Sequence, residues 1–286
     1  MKEEIYMIHS LTDTITLNEQ VSIPGFGLGV FQIPDEEVAT VVKNGILKGY
    51  RLIDAAQIYD NESGTGQGIK EGLAATGLTR EELFVTSKVW NNYLTYDETI
   101  VAFEKSLALL QLDYLDLYLL HWPGKNAYQE SWRALEDLHQ AGKIKAIGVS
   151  NFQSHHLKKL LATAKVKPVL NQVELHPKLA QKELRDYCQQ QGIKIQAWSP
   201  LMQGQILQHP ILVKMAQRHH VSPAQIALRW HIQQDILLVV KTVNPDRMEQ
   251  NQQLFDFSLS EEDMRELNRL NEDHRVGPDP DQFNFN

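Results

Sequence analysis

The chain has 286 residues, a formal net charge of −8, 42% hydrophobic residues and 22% charged residues, the balance of a globular chain with a sizeable core. Its mild acidity, without clustered Lys and Arg, argues against a nucleic-acid partner, because phosphate backbones demand dense positive charge. One cysteine, Cys188, excludes an intrachain disulfide, and no apolar run approaches the length of a membrane span, so no membrane partner is expected.

The N-terminal stretch MKEEIYMIHS lacks the apolar core of a targeting signal, which makes the cytoplasm the expected location and leaves the glycosylation pattern Asn61-Glu62-Ser63 without a secretory context. ITLNEQVSIPGFGLG reads as a small hairpin leading into a first strand near Phe26 to Val30. DEEVATVVKNGILKG is helical: Asp35 is placed to cap it, and Val38, Val41, Val42 and Ile46 share one face. RLIDAA is then a strand and GTGQGIKEGLAATG a helix, whose glycines read as permissive backbone near a helix start. LFVTSKV, YLDLYLLHWP, IKAIGVS, PVLNQVEL, IKIQAWSP and DILLVVKT are further strands. Between them lie the helical stretches YDETIVAFEKSLALLQL, NAYQESWRALEDLHQAG, SHHLKKLLATA, AQKELRDYCQQQG, LQHPILVKMAQRHH and SPAQIALRWHIQQ. PDRMEQNQQL and SEEDMRELNRL close the chain as helices, and Cys188 falls where a helix ends, as a small buried residue.

Eight strands, apolar on both faces and each followed by helical sequence, predict an α/β fold with a parallel sheet: a (β/α)8 TIM barrel with an N-terminal β-hairpin under it, one domain over residues 1–286. A doubly wound open sheet is the alternative. It would want a dinucleotide fingerprint after the first strand, which FGLGVFQIP does not supply. Gly64-Thr65-Gly66-Gln67-Gly68 follows the wrong strand for that role and lacks the Lys-Ser/Thr ending of a phosphate loop.

Barrels of this type place their chemistry where strands hand over to helices. Here those ends carry Asp54, Lys88, His121, Ser150 with Asn151, Gln172 with Glu174, Trp198 with Ser199, and Lys241 with Thr242. Asp54 and Lys88 lie on neighbouring strand ends and are expected to pair, with Tyr59 swinging its hydroxyl over the mouth from the loop after Asp54. A free tyrosine has a pKa of about 10, and an ammonium beside it is expected to lower that value. Such a set suits proton transfer to an oxygen that gains negative charge. A glycosidase would need two acids at the mouth, for which Glu62 and Glu174 are the candidates, but neither explains Lys88 and Tyr59. No metal is expected, since His155-His156 and His219-His220 do not converge with carboxylates in sequence.

The stretches IDAAQIYDNE, VTSKVW, LLHWP, KIKAIGVSNF, NQVELHP, SPL and VVKTVNPDRMEQN, in this order, resemble the aldo-keto reductases, and the resemblance runs on to the tail RVGPDPDQFNF. It implies an enzyme, an NADPH-dependent reductase of aldehydes and ketones, and four catalytic residues: Tyr59 as proton donor, Lys88 and Asp54 tuning it, and His121 orienting the carbonyl. It also implies that Asp54, Ser150, Asn151 and Gln172 face the nicotinamide end of the cofactor, with Trp198 stacking where tyrosine is commoner. Ser199 and Leu201 match positions along the pyrophosphate; Lys241, Thr242 and Arg247 match the surroundings of the adenosine phosphate, and Asn251 lies near the adenine. Phe26, Trp90, Asn92, His121 and Trp122 are expected to line the substrate pocket, left open by a short tail. The chain is similar to the bacterial small-carbonyl and diketogluconate reductases of that family, working as a monomer on small carbonyl substrates. A dedicated keto-sugar-acid reductase, with Arg275 meeting a carboxylate, and a nicotinamide-binding sensor or subunit are the alternatives.

Overall fold

The computed structural model describes residues 8–124 and 128–283. The first residues of the helix expected from Asn126, the end of the tail and the opening MKEEIYM lie outside the described residues.

A hairpin comes first, β1 (Thr14–Thr16) against β2 (Ser22–Pro24), antiparallel with Ile15 opposite Ile23. Eight parallel strands follow: β3 (Phe26–Gly29), β4 (Leu52–Asp54), β5 (Phe84–Val89), β6 (Leu115–Leu120), β7 (Ile144–Ser150), β8 (Leu170–Glu174), β9 (Lys194–Trp198) and β10 (Leu237–Lys241). They close in sequence order, β10 pairing β9 on one side and β3 on the other. Closure removes the sheet edges, and buried residues fill β5, β6 and β8 on both faces, as parallel strands covered by helices require. The barrel is therefore the closed form, and the open doubly wound alternative is set aside. The hairpin lies beneath it, where Thr14, Val21 and Ser22 line a cleft with Arg51, Glu82, Asp116 and Lys145, residues at or just before the starts of β4 to β7.

The helices are α1 (Asp35–Leu47), α2 (Glu62–Thr76), α3 (Tyr96–Leu110), α4 (Tyr128–Gln140), α5 (Ser154–Leu161), α6 (Lys182–Gln191), α7 (Pro210–His219), α8 (Pro223–Ile232), α9 (Pro245–Gln252) and α10 (Glu261–Asn268). Thr95, Ser222 and Ser260 cap α3, α8 and α10 with their hydroxyls, and left-handed Gly77 and Gly192 follow α2 and α6. Cys188 is buried inside α6.

Two local expectations change. Asp35 does not cap α1, whose cap position is Pro34; its Oδ1 instead accepts from the backbone N–H of Gly64, in the first turn of α2, at 2.7 Å. The glycines of α2 are not there for backbone freedom. The helix already starts at Glu62, and its glycines let neighbouring backbones touch: a Cβ on Gly64 would lie 2.2 Å from Asp35 O, one on Gly66 2.3 Å from Leu110 O, and one on Gly68 2.5 Å from Ala39 O.

No helix among the described residues is long and apolar enough to cross a membrane.

Candidate active site

Strand register sets the polar cluster at the C-terminal mouth. Asp54 ends β4 opposite Gly29 and Thr86, Lys88 sits one residue from the end of β5 opposite Leu119, and His121 directly follows β6. Ser150 ends β7 opposite Gln172, and Trp198 ends β9 opposite Glu174. Tyr59 arrives on a single 3-10 turn, Gln57–Tyr59, closed by Asp60 in the left-handed region at φ 52°. The next residue pins that turn: Asn61 Nδ2 donates to Val30 O and Ile33 O, both at 2.8 Å, in the loop after β3.

Lys88 is fully buried, and its ammonium has three partners: Asp54 Oδ1 at 2.6 Å, Ala55 O at 2.9 Å and the Tyr59 hydroxyl at 3.4 Å. Burial works against its charge, but the fields of Asp54 and Tyr59 and their hydrogen bonds prevail and hold its pKa above the ordinary lysine value. The second Asp54 oxygen accepts from Gln172 Nε2 at 2.7 Å, so one carboxylate joins the lysine to the residues expected around the nicotinamide. Tyr59 departs from expectation. Lys88 does pull its phenol down, but burial pushes it up more strongly and Asp54 adds to the rise, so the net shift is upward. The imidazole of His121 is held well below its ordinary pKa by burial, then by Lys88, and is neutral. Its ring lies 5.8 Å from that of Tyr59 and 5.2 Å from that of Trp90, and its buried Nδ1 has no hydrogen-bond partner among the described residues.

Around the barrel, Ser150 Oγ donates to Gln172 O at 2.9 Å, and Asn151 adopts a left-handed backbone at φ 64°. Asn151 Nδ2 donates to His121 O at 3.0 Å and Ser150 Oγ at 3.1 Å, while its Oδ1 accepts from Trp198 Nε1 at 2.8 Å. Ser199 is also left-handed, at φ 50°, and turns the chain towards Leu201. Lys241 and Arg247 are exposed, and neither head group has an ion-pair partner among the described residues; Thr242 and Asn251 are buried beside them. This set fits a nicotinamide dinucleotide phosphate: amide and hydroxyl groups and an indole at the inner end, two uncommitted cations at the outer end.

Phe26, expected to line the substrate pocket, lies away from the mouth. Phe26 is fully buried at the start of β3, the far end of the barrel, with its ring 5.7 Å from that of Tyr50. Its place at the mouth belongs to Phe31, which is 49% exposed and has its ring 5.0 Å from that of Tyr59. Trp90, ring to ring with His121, and Trp122, the residue after His121, lie at the end of the barrel that carries Asp54 and Lys88. Asn92 is exposed on the loop after β5, and it is Asn91 that reaches inward, donating to Trp122 O at 2.9 Å. The tail reaches these rings: that of Phe283 lies 4.7 Å from that of Trp122 and 6.5 Å from that of Trp90.

The two acids of the hydrolase alternative, Glu62 and Glu174, are both buried and committed to other partners. Glu62 Oε1 accepts from Ser87 Oγ at 2.6 Å; Ser87 precedes inward-facing Lys88 and so points to the helix side of the sheet. Glu174 is engaged by the tail, whose Val276 N–H donates to it at 2.6 Å. Among the described residues, one group of side chains could gather a metal ion, His155 and His156 with Asp281 from the tail. Their geometry suits a hydrogen bond better, because His156 Nδ1 accepts from Gln153 N–H at 3.1 Å and its proton therefore sits on Nε2, facing Asp281 at 3.5 Å.

Comparison with known proteins agrees with this geometry. The aldo/keto reductase family pattern matches residues 25–272. A Bacillus subtilis glyoxal reductase is 56% identical over 277 residues, covering 96% of this chain and 99% of its own. An Escherichia coli methylglyoxal reductase is 40% identical over 273 residues, covering 94% and 97%. A Bombyx mori aldo-keto reductase solved in complex with NADP superposes with a TM-score of 0.89 at 35% identity, over 96% of this chain and 97% of that one. The chain belongs to the aldo/keto reductase family.

Proposed function

We propose that this chain is an NADPH-dependent reductase of aldehydes and ketones, broad over small reactive carbonyls, with Tyr59 as the proton donor. The observation that carries the reading is the buried chain Asp54–Lys88–Tyr59, with contacts of 2.6 and 3.4 Å, joined to Gln172 through the second Asp54 oxygen. When bound, the reduced nicotinamide supplies the hydride that reaches the carbonyl carbon. The protein supplies everything else. Ser150, Asn151 and Gln172 hold the carboxamide and Trp198 offers its indole face; Ser199 and Leu201 follow the pyrophosphate, Lys241, Thr242 and Arg247 meet the phosphate, and Asn251 meets the adenine.

Tyr59 keeps its proton at neutral pH, because burial holds its pKa above the ordinary value, and can deliver it as the carbonyl oxygen gains negative charge. Lys88 then stabilises the phenolate left behind, and Asp54 keeps that ammonium charged and in place. His121, neutral, orients the carbonyl by hydrogen bonding without placing a competing charge at the mouth. Phe31, Trp90, Trp122 and Phe283 form a flat apolar wall against this polar point, which fits small aldehydes and α-ketoaldehydes.

The printed names of the relatives, glyoxal reductase and methylglyoxal reductase, support the same class. A keto-sugar acid would need a cation for its carboxylate, but Arg275 is turned towards buried Glu174, with Nη1 at 4.0 Å. The reading takes the whole chain as one barrel domain working as a monomer, and the cytoplasm suits an enzyme that consumes NADPH.

NADPH consumption over a panel of short aldehydes, aromatic aldehydes and keto-sugar acids tests the reading. Similar kcat/KM values across the small aldehydes are expected; a sugar acid preferred by orders of magnitude, or no consumption at all, contradicts it.

A further inference from the structure

Glu174 ends β8 with its carboxylate wholly buried at the mouth, and the reaction above gives it no task. A buried carboxylate needs partners, and those of Glu174 come largely from the tail. Oε1 accepts from Val276 N–H at 2.6 Å and from His176 Nε2 at 3.0 Å; Oε2 accepts from Gly277 N–H at 3.1 Å. The carboxylate thus seizes two consecutive backbone amides more than a hundred residues further along the chain, at separations of 102 and 103.

What this grip presses upon is Trp198. A Cβ added to Gly277 would lie 2.4 Å from Trp198 Cη2 and 3.0 Å from Cζ3, so the tail backbone rests directly on the indole and only glycine fits. At its other edge the same indole donates from Nε1 to Asn151 Oδ1 at 2.8 Å, and Asn151 is otherwise held by His121 O and Ser150 Oγ. The contacts form one line: Glu174, the tail at Val276–Gly277, Trp198, Asn151.

We propose that Glu174 is a positioning residue for the nicotinamide half of the cofactor, acting by clamping Gly277 of the tail onto Trp198 and so fixing both the indole face and the Asn151 amide before binding. This rests on the reading that Trp198 and Asn151 face the nicotinamide. Without the clamp the indole is free to tilt, and two binding side chains must be ordered when cofactor binds. The adenosine end, at Lys241 and Arg247, does not feel the clamp.

Calorimetric titration of the full chain with NADPH and with 2′,5′-ADP, which has the 2′-phosphate but no nicotinamide, separates the two halves. Glu174→Gln turns an amide donor towards a backbone N–H and should raise the NADPH dissociation constant about tenfold, the scale of leaving two side chains to be ordered on association, with 2′,5′-ADP unchanged. Gly277→Ala disturbs the same contact with Glu174 intact and should show the same selective loss; it carries the test if Glu174→Gln fails to fold. In a Trp198→Phe background, Glu174→Gln should add nothing further. Parallel weakening of both ligands, or unchanged NADPH binding in both variants, overturns the proposal while leaving the cofactor reading intact. Wild-type protein that binds NADPH no more tightly than 2′,5′-ADP overturns the reading of Trp198 and Asn151, and this proposal with it.

Discussion

Lys88 has no solvent at all, and its charge survives only because three oxygens face it. Breaking such a pair by removing one partner typically costs about 3–5 kcal/mol, since the other charge is left buried and uncompensated, so substitutions at Asp54 or Lys88 mix stability with chemistry. Arg247 gives a cleaner single-residue prediction. It is exposed and has no ion-pair partner among the described residues, so Arg247→Ala should leave stability alone. Loss of a charge-assisted contact worth about 1.5–3 kcal/mol should weaken NADPH by tenfold or more and leave NADH unchanged. Titration of both cofactors checks this; equal effects on the two would remove Arg247 from the phosphate site. At this scale the polar residues around Lys88 are legible because all but Tyr59 lie at or next to a strand end, where side-chain type and position coincide. The aromatic wall was less so. The first barrel strand reads FGLG, and with two glycines it has too few side chains to show which face is which. Phe26 and Phe31 thus look alike in sequence, though one is buried at the far end and the other stands beside Tyr59.

The α1–α2 pair shows what the pattern of elements could and could not carry. Both helices, and the alternation of strands and helices around the barrel, follow from hydrophobic periodicity. The glycines of α2 do not, because a glycine needed for backbone freedom and one needed for close approach are the same letter. The distances separate them: Gly66 packs against the carbonyl of Leu110 at the end of α3, and Gly64 and Gly68 pack against carbonyls of α1. Gly66→Ala should therefore destabilise the fold, against the usual gain from replacing a helical glycine. Overpacking costs about 1–3 kcal/mol, which exceeds the propensity gain of about 1 kcal/mol. Denaturant unfolding measures the sign directly; a stabilised Gly66→Ala variant would show that α2 has room to shift.

Over the whole molecule, the tail is the part that sequence could not place. It has no hydrophobic period, and its anchor, Glu174, lies about a hundred residues away in the chain. Reading it by length alone suggests an open pocket, whereas Glu174, the His155–His156 pair and Trp122 hold it across the mouth at Val276–Gly277, Asp281 and Phe283. The molecule should also be acid-sensitive. Burial lowers His231 from 6.5 to about 4; burial, then neighbouring His155, lowers His156 from 6.5 to about 4; His121 is held lower than its ordinary value too. Between pH 6.5 and 4 the unfolded chain therefore binds protons that the folded chain refuses, and stability falls as pH drops through that window. His231, fully enclosed, contributes of order 3 kcal/mol to this loss by pH 4. A Tm that stays level from pH 6.5 to 4.5 would contradict this. The barrel brings Asp54, Lys88 and His121 from three strand ends and Tyr59 from one loop into a single cluster, and the claim at its centre is that Tyr59 protonates the substrate oxygen. The most direct test is turnover of Tyr59→Phe alongside its NADPH affinity. The account predicts NADPH binding within about twofold of wild type and kcat lower by about 10²–10⁴-fold, because the lost hydroxyl acts only in the transition state. Turnover retained in Tyr59→Phe, or cofactor binding lost in proportion to turnover, would contradict it.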